Sequence, residues 1–193
     1  LEEAGKFYAG EVACVNDAAA RARELGLKGD WVLSVGATPT AHAAILGAAT
    51  PSGLHGTLEL HAGCYCLNDL QQAATGLVRD GGLALSVLAT VVSKYPERGE
   101  AMSDCGALAV SKDTGPAPGY GRVVSAGHEG WTLGRVSQEH GVLVKGEGRD
   151  LAVGERVRIV PQHACLACAC FPWFYVVEGG DTVVDVWVPW KGW

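Results

Sequence analysis

"WVLSVGATPTAHAAILGAATPSGLHGTLELHAG" (residues 31–63) is the stretch from which the fold is read. Its first five residues form a short apolar run rich in Val and Leu, suited to a strand. Gly36 then permits a tight turn, Thr38 can cap a helix, and Pro39 sits at the first helical position. Residues 40–49 are Ala-rich and read as a short helix, and 57–63 as a second strand. A strand, a helix and a strand in succession predict a parallel α/β unit.

On the N-terminal side, "EVACVNDAAARARELG" (11–26) places Val12, Val15, Ala19 and Leu25 at helical spacing, with Gly26 as a stop. On the C-terminal side, "NDLQQAATGL" (68–77) reads as a polar helix or loop. From about residue 81 helix signals cease. Strand-like runs follow at 83–93, 107–111, 121–125, 141–145, 156–160, 163–170, 173–178 and 182–188. Turn clusters such as "PERGE", "KDTGPAPGYG", "GEGRD" and "EGGD" separate them. The expected organisation is an α/β piece over residues 1–80 and an all-β domain over 81–193.

The composition suits a globular protein: 48% of the 193 residues are hydrophobic and 19% charged. A net charge of -6 argues against nucleic acid or an anionic membrane surface as a partner, since both would repel it. No apolar run approaches a membrane span in length. The chain opens "LEEAGKFYAG", with neither a Met nor a leader pattern, which reads as part of a longer polypeptide. Seven cysteines and no secretory context predict reduced thiols in a cytoplasmic setting.

Three stretches could carry chemistry. The helix start in "SVGATPT" (34–40) offers backbone N–H groups to an anion such as phosphate, or is an ordinary capped helix. "ELHAGCYCLND" (59–69) repeats the device one strand later, with Gly63 at the strand end and the Tyr65 hydroxyl just beyond. "PQHACLACACFPWFYV" (161–176) holds a histidine and three cysteines within eight positions. On a strand, residues two apart share a face. His163 and Cys165 would then point one way, with Cys168 and Cys170 pointing the other. That spacing disfavours a closed four-ligand zinc site. Two readings stand: a two-ligand open metal site, for which imidazole and thiolate favour zinc, or a buried strand without metal. Trp187, Trp190 and Trp193 read as core or interface packing.

Taken in order, "GKFYAG", "SVGATPT", "ELHAGCYCLNDLQ", "LATVVSKYPERGEAMSDCGALAVSKDTG", "SQEHGVL", "GERVRIVPQHACLACACFPWFYVVEGG" and "VDVWVPWKGW" resemble one family. It is that of the metal-activated, pyridoxal-phosphate-dependent D-serine dehydratases and D-threonine aldolases. The resemblance runs from residue 5 to 193 and matches the C-terminal half of such enzymes. It implies an alanine-racemase-like fold, in which the C-terminal part of a (β/α)8 barrel is followed by a β domain. It further implies that His163 and Cys165 ligate zinc or another divalent metal. Tyr8 would contact pyridoxal phosphate; Thr38, Gly63 and the backbone of Cys64 would hold its phosphate, with Tyr65 nearby. The activity implied is that of a lyase on D-hydroxy-amino acids. D-Serine dehydratase is favoured because H-x-C goes with dehydratases and H-x-D with aldolases. D-Threonine aldolase is the alternative, and a non-catalytic β module or truncated fragment the second. A homodimer is implied for the full-length enzyme.

The sequence also departs from the family. Lys6 and Phe7 stand where a more polar pair precedes the Tyr, Cys64 replaces a side-chain donor, and "LACACFPW" replaces a more polar segment. The Lys that forms the Schiff base belongs to the first barrel strand, and none of Lys6, Lys28, Lys94, Lys112, Lys145 or Lys191 matches it. The expectation is that this chain alone is catalytically incomplete.

Overall fold

A computed structural model describes residues 1–191 and divides them into two units. The first comprises residues 1–68 and 72–82; the second comprises 69–71 and the chain from Leu83 onward.

The first unit opens with α1 (Glu2–Glu24), which starts nine residues earlier than the sequence pattern predicts. Gly5 and Gly10 lower the intrinsic helix propensity of that stretch and hide its start. Glu2 and Glu3 lie in the first turn and Arg21 and Arg23 in the last, each of the sign that suits its end of the helix dipole. Tyr8, Val12 and Ala19 form the buried stripe. β1 (Val32–Val35) and β2 (Thr57–Leu60) pair in parallel, Val35 opposite Leu60. α2 (Thr38–Ile45) lies between them in the chain, as a parallel pair requires. Tyr8, Val12 and Val35 make the small core, with Val15, Ala44, Leu54 and Leu58 against it. α3 (Leu70–Ala74) follows, and its first residues belong to the second unit.

The second unit is a closed antiparallel barrel. Its strands are β3 (Val87–Tyr95), β4 (Glu100–Ser103), β5 (Gly121–Val123), β6 (Thr132–Val136), β7 (Gly141–Val144) and β8 (Arg156–Pro161). They run around the barrel in the order β3-β4-β7-β6-β5-β8, which leaves no free edge. Alternation puts Val87, Ala89 and Val91 of β3 inside, where they meet Leu133, Leu143, Val157 and Ile159, all without exposed surface. Cys105 belongs to the same core, and burial, then the nearby Asp104 charge, pushes its thiol up to about 12. A hairpin, β9 (Phe174–Glu178) and β10 (Thr182–Trp187), ends the described chain, turning through Gly179 and Gly180.

Two expected strands are helices. Residues 107–111 contain α4 (Ala107–Val110), whose first N–H groups donate to the carbonyls of Ser137 and Gln138. Those long-range acceptors stabilise a single turn that local sequence would not hold. Residues 163–170 contain α5 (Ala164–Ala169), in which Ala164 and Ala167 are buried at helical spacing. β4 and β6 were not expected: β4 begins at the end of a turn cluster, and β6 carries Gly134 and Arg135 within it. Trp187 and Trp190 are exposed rather than packed in a core, and Trp193 lies outside the described residues.

A polar knot anchors the loop before β8. His128, 1% exposed, has Nδ1 3.1 Å from the Arg149 carbonyl oxygen and Nε2 2.8 Å from Glu155 Oε1. Glu155 also accepts the Ala152 N–H at 2.9 Å and the Arg149 guanidinium at 2.6 Å. These bonds, the Ala152 N–H foremost, hold its carboxyl below the usual range. Glu155→Ala strands all three donors, one of them buried. The expected cost is about 2 kcal/mol, read as a fall of roughly 4–8 °C in the thermal midpoint. An unchanged midpoint would show the knot to be dispensable.

Candidate metal and phosphate sites

His163 is the N-cap of α5, with an extended backbone (φ -134, ψ 108). Five hydrogen bonds define its setting. The buried carboxylate of Asp69 accepts the Ala164 N–H at 2.7 Å, closing the start of the helix. The Gln71 N–H donates to the Gln162 carbonyl at 3.2 Å, just before the histidine. Gln71 Nε2 reaches Asp113 Oδ2 at 3.1 Å and the Thr114 carbonyl at 2.8 Å. His163 Nδ1 lies 2.6 Å from the same Asp113 Oδ2. A carboxylate only accepts, so Nδ1 carries the proton and donates. That bond is the main reason the Asp113 carboxyl sits below the usual range, and the Gln71 bond adds to it. Gln162 is fully buried, and its Nε2 holds the carbonyls of Ala117 and Gly119 at 2.8 Å each.

Because 164–169 is helical, His163 and Cys165 do not share a strand face opposite Cys168 and Cys170, as expected above. His163 precedes the helix and Cys165 lies in its first turn, exposed. Cys168 follows Cys165 by three positions, and Cys170 is the C-cap, its thiol donating to the Leu166 carbonyl at 3.3 Å. Among the described residues, neither His163 Nε2 nor Cys165 Sγ has a hydrogen-bond partner, and no group of three or more His, Cys, Asp or Glu is placed to hold a metal. The donor set therefore fits an open site with two protein ligands, one nitrogen and one soft sulfur.

The second site lies in the first unit, where β1 and β2 end on the same side. His61 N–H donates to the Val35 carbonyl at 2.8 Å, which brings the two following turns together. Gly36 has φ +136, and a Cβ there would meet the His61 backbone, 2.8 Å from its nitrogen. Only glycine allows this approach. Thr38 is the first residue of α2 rather than its cap; Ala37 caps, with its N–H donating to Thr40 Oγ1 at 3.1 Å. Thr38 Oγ1 accepts the Cys64 N–H at 3.2 Å and lies 3.4 Å from Cys64 Sγ. Gly63, Cys64 and Tyr65 thus share one turn facing the start of α2, with Cys64 buried and Tyr65 exposed. The N-terminal end of α2 suits an anion, and the glycine-tight approach fits a phosphate cradle. Tyr8 is buried on α1 in the same small core as Val35, and its hydroxyl is 2.8 Å from Thr50 Oγ1.

Asp69, Gln71 and Asp113 were not singled out from sequence. Each acts on His163 or its neighbours across 50 to 95 positions. The only local signal is the Asp before a Thr-Gly turn in "SKDTG".

The class of fold follows from solved structures. D-Threo-3-hydroxyaspartate dehydratase, in a variant with a histidine replaced by alanine, matches the whole chain and 51% of its own, with TM-score 0.79 and 35% identity. A second variant of that enzyme, with the cysteine two positions later replaced and in its metal-free form, gives TM-score 0.78. An alanine-racemase-like protein of Idiomarina loihiensis covers 91% of the chain at TM-score 0.73 and 29% identity. The fold is alanine-racemase-like.

The model of the family described as "Putative serine dehydratase domain" matches residues 84–177. D-Serine dehydratase of Schizosaccharomyces pombe is 38% identical over 201 residues, covering all of this chain and 48% of that protein. D-Threo-3-hydroxyaspartate dehydratase of Delftia sp. strain HT23 is 38% identical over 84% of this chain and 44% of that one. The chain belongs to this D-serine dehydratase family, and it spans about half the length of these relatives.

Proposed function

We propose that the chain is part of a pyridoxal-phosphate- and zinc-dependent lyase that removes water from a D-hydroxy-amino acid, D-serine first. The observation that carries this reading is the pair His163 and Cys165, both donors uncommitted, with the imidazole tied through Nδ1. The same His-x-Cys spacing is altered in the two dehydratase variants, and the cysteine variant is the one in metal-free form.

In this reading residues 1–80 are the C-terminal portion of the cofactor barrel and 81–193 the β domain. Thr38, Gly63 and Cys64 hold the cofactor phosphate, with Tyr65 beside it and Tyr8 supporting from α1. When bound, pyridoxal phosphate supplies an electron sink and zinc a Lewis acid. His163 and Cys165 would hold the metal, which with two protein donors could also take a substrate hydroxyl. Thiolate favours zinc over harder ions. The lysine that carries the cofactor then comes from sequence preceding Leu1. A reducing, cytoplasmic compartment suits seven cysteines of which none forms a disulfide among the described residues, and the family resemblance favours a homodimer.

The test is product analysis on the full polypeptide with both cofactors. D-Serine is expected to give pyruvate and ammonia, and D-threonine 2-oxobutyrate. Dominant release of acetaldehyde and glycine from D-threonine would assign the aldolase reaction instead. Absence of turnover with either substrate would return the chain to a binding module.

A further inference from the structure

Resting on the metal reading above, we propose that Asp113 is the positioning residue of the metal centre. It fixes the His163 ring in the tautomer that presents the Nε2 lone pair to the metal.

The geometry carries this. A neutral imidazole has one donor and one acceptor nitrogen, and the hydrogen bond at one nitrogen selects the other as ligand. Asp113 Oδ2 is 2.6 Å from Nδ1, so the proton is held there. In the opposite tautomer the Nδ1 lone pair would face a carboxylate oxygen, which is repulsive. The negative charge beside Nδ1–H also makes Nε2 a better donor.

Asp113 is itself tied at both oxygens. Gln71 Nε2 donates to Oδ2 at 3.1 Å, and the Thr114 N–H to Oδ1 at 3.1 Å. Gln71 simultaneously grips the Gln162 carbonyl through its backbone N–H. One residue therefore fixes both the carboxylate and the backbone immediately before the histidine.

The chain reaches this position at a cost in backbone energy. Ser111, which ends α4, has φ +72 and ψ -175, a conformation that side-chain-bearing residues rarely adopt. Its hydroxyl accepts the Asp113 N–H at 3.1 Å. A non-glycine residue held there, two positions before the carboxylate, is what a constrained delivery of Asp113 requires.

The test uses zinc alone as the probe, on the full polypeptide, by competition with a chromophoric chelator. Asp113→Ala is expected to weaken zinc binding about 10–100-fold, the usual range for loss of an orienting partner. Asp113→Asn keeps an acceptor oxygen without the charge, so its affinity should fall between the two. That variant carries the test if the alanine form does not fold. A second readout needs no metal: the nitrogen-15 shifts of His163 in the metal-free protein. They should report Nδ1–H in the parent and a shift towards Nε2–H in Asp113→Ala. Affinity within twofold of the parent in both variants, or an unchanged tautomer, overturns the positioning role while leaving the metal site intact. Zinc affinity unchanged in His163→Ala would overturn the metal reading itself, and this proposal with it.

Discussion

Zinc binding by the His163→Ala variant is expected to be about 100- to 1,000-fold weaker than in the parent. Four-ligand structural zinc sites bind with about 10–16 kcal/mol, so one protein donor carries roughly 2.5–4 kcal/mol. At about 1.4 kcal/mol per decade this is two to three orders of magnitude. With only two donors offered among the described residues, no neighbouring ligand compensates. Cys165→Ala should lose a similar amount. Cys165→Asp should retain a metal site but lose selectivity for zinc and admit manganese, because carboxylate is the harder ligand. Chelator competition reads all three. Cys168→Ala is the control: retention of tight zinc binding there, with loss in Cys165→Ala, separates the first-turn thiol from its neighbour. Equal loss in both would redraw the ligand set.

Gly36→Ala is expected to have the largest effect on the first unit. The residue sits at φ +136, and its Cβ would be driven against the His61 backbone, where the N–H bonds to Val35. The atoms it meets, the His61 oxygen, nitrogen and carbonyl carbon, are all main chain, so relief requires moving one parallel strand from the other. We expect a loss of about 3–4 kcal/mol, combining the left-handed penalty with the broken approach. The thermal midpoint should fall by roughly 6–16 °C. Pyridoxal phosphate binding, followed by the absorbance of the bound cofactor, should be lost in parallel. Thr38→Val separates the two effects. It keeps shape and the Gly36 approach but removes the hydroxyl that accepts the Cys64 N–H. Its stability should fall by only about 1–2 kcal/mol, the cost of removing a buried acceptor from the Cys64 N–H, while cofactor affinity falls. Unaltered cofactor binding in both variants would remove the phosphate assignment.

Both sites are built on short-range patterns, yet they differ in how far the pattern reaches. The proposed phosphate cradle is local in character. An apolar run, a glycine and a Thr-Pro pair appear in order, and each sets the backbone within a few residues of itself, although Gly36 and Thr38 then meet His61 and Cys64 across the parallel pair. β1, α2 and β2 therefore lie within a few residues of their expected places. β3 and β8 likewise overlap the strand-like runs at 83–93 and 156–160.

The proposed metal site shows the opposite case. The pair His163 and Cys165 is visible in the sequence as donors, but their backbone is not. In "HACLACAC" small residues alternate with thiols, and this fits a strand by period and a helix by alanine content. What decides between them is the Asp69 carboxylate, 95 positions away, which caps the Ala164 N–H. Helix α4 is likewise set by the carbonyls of Ser137 and Gln138. Asp113 carries no mark of its partnership with His163, because a surface aspartate before a turn has many uses and only folding chooses one. The sequence by itself determined the chemical types of the donors, the parallel α/β start and the β-rich remainder. Tertiary structure alone decided the helix at 164–169, the pairing of Asp113 with Nδ1 and hence which nitrogen faces outward. The physical reason is that hydrogen bonds between distant segments outweigh the small local preference of a six-residue stretch.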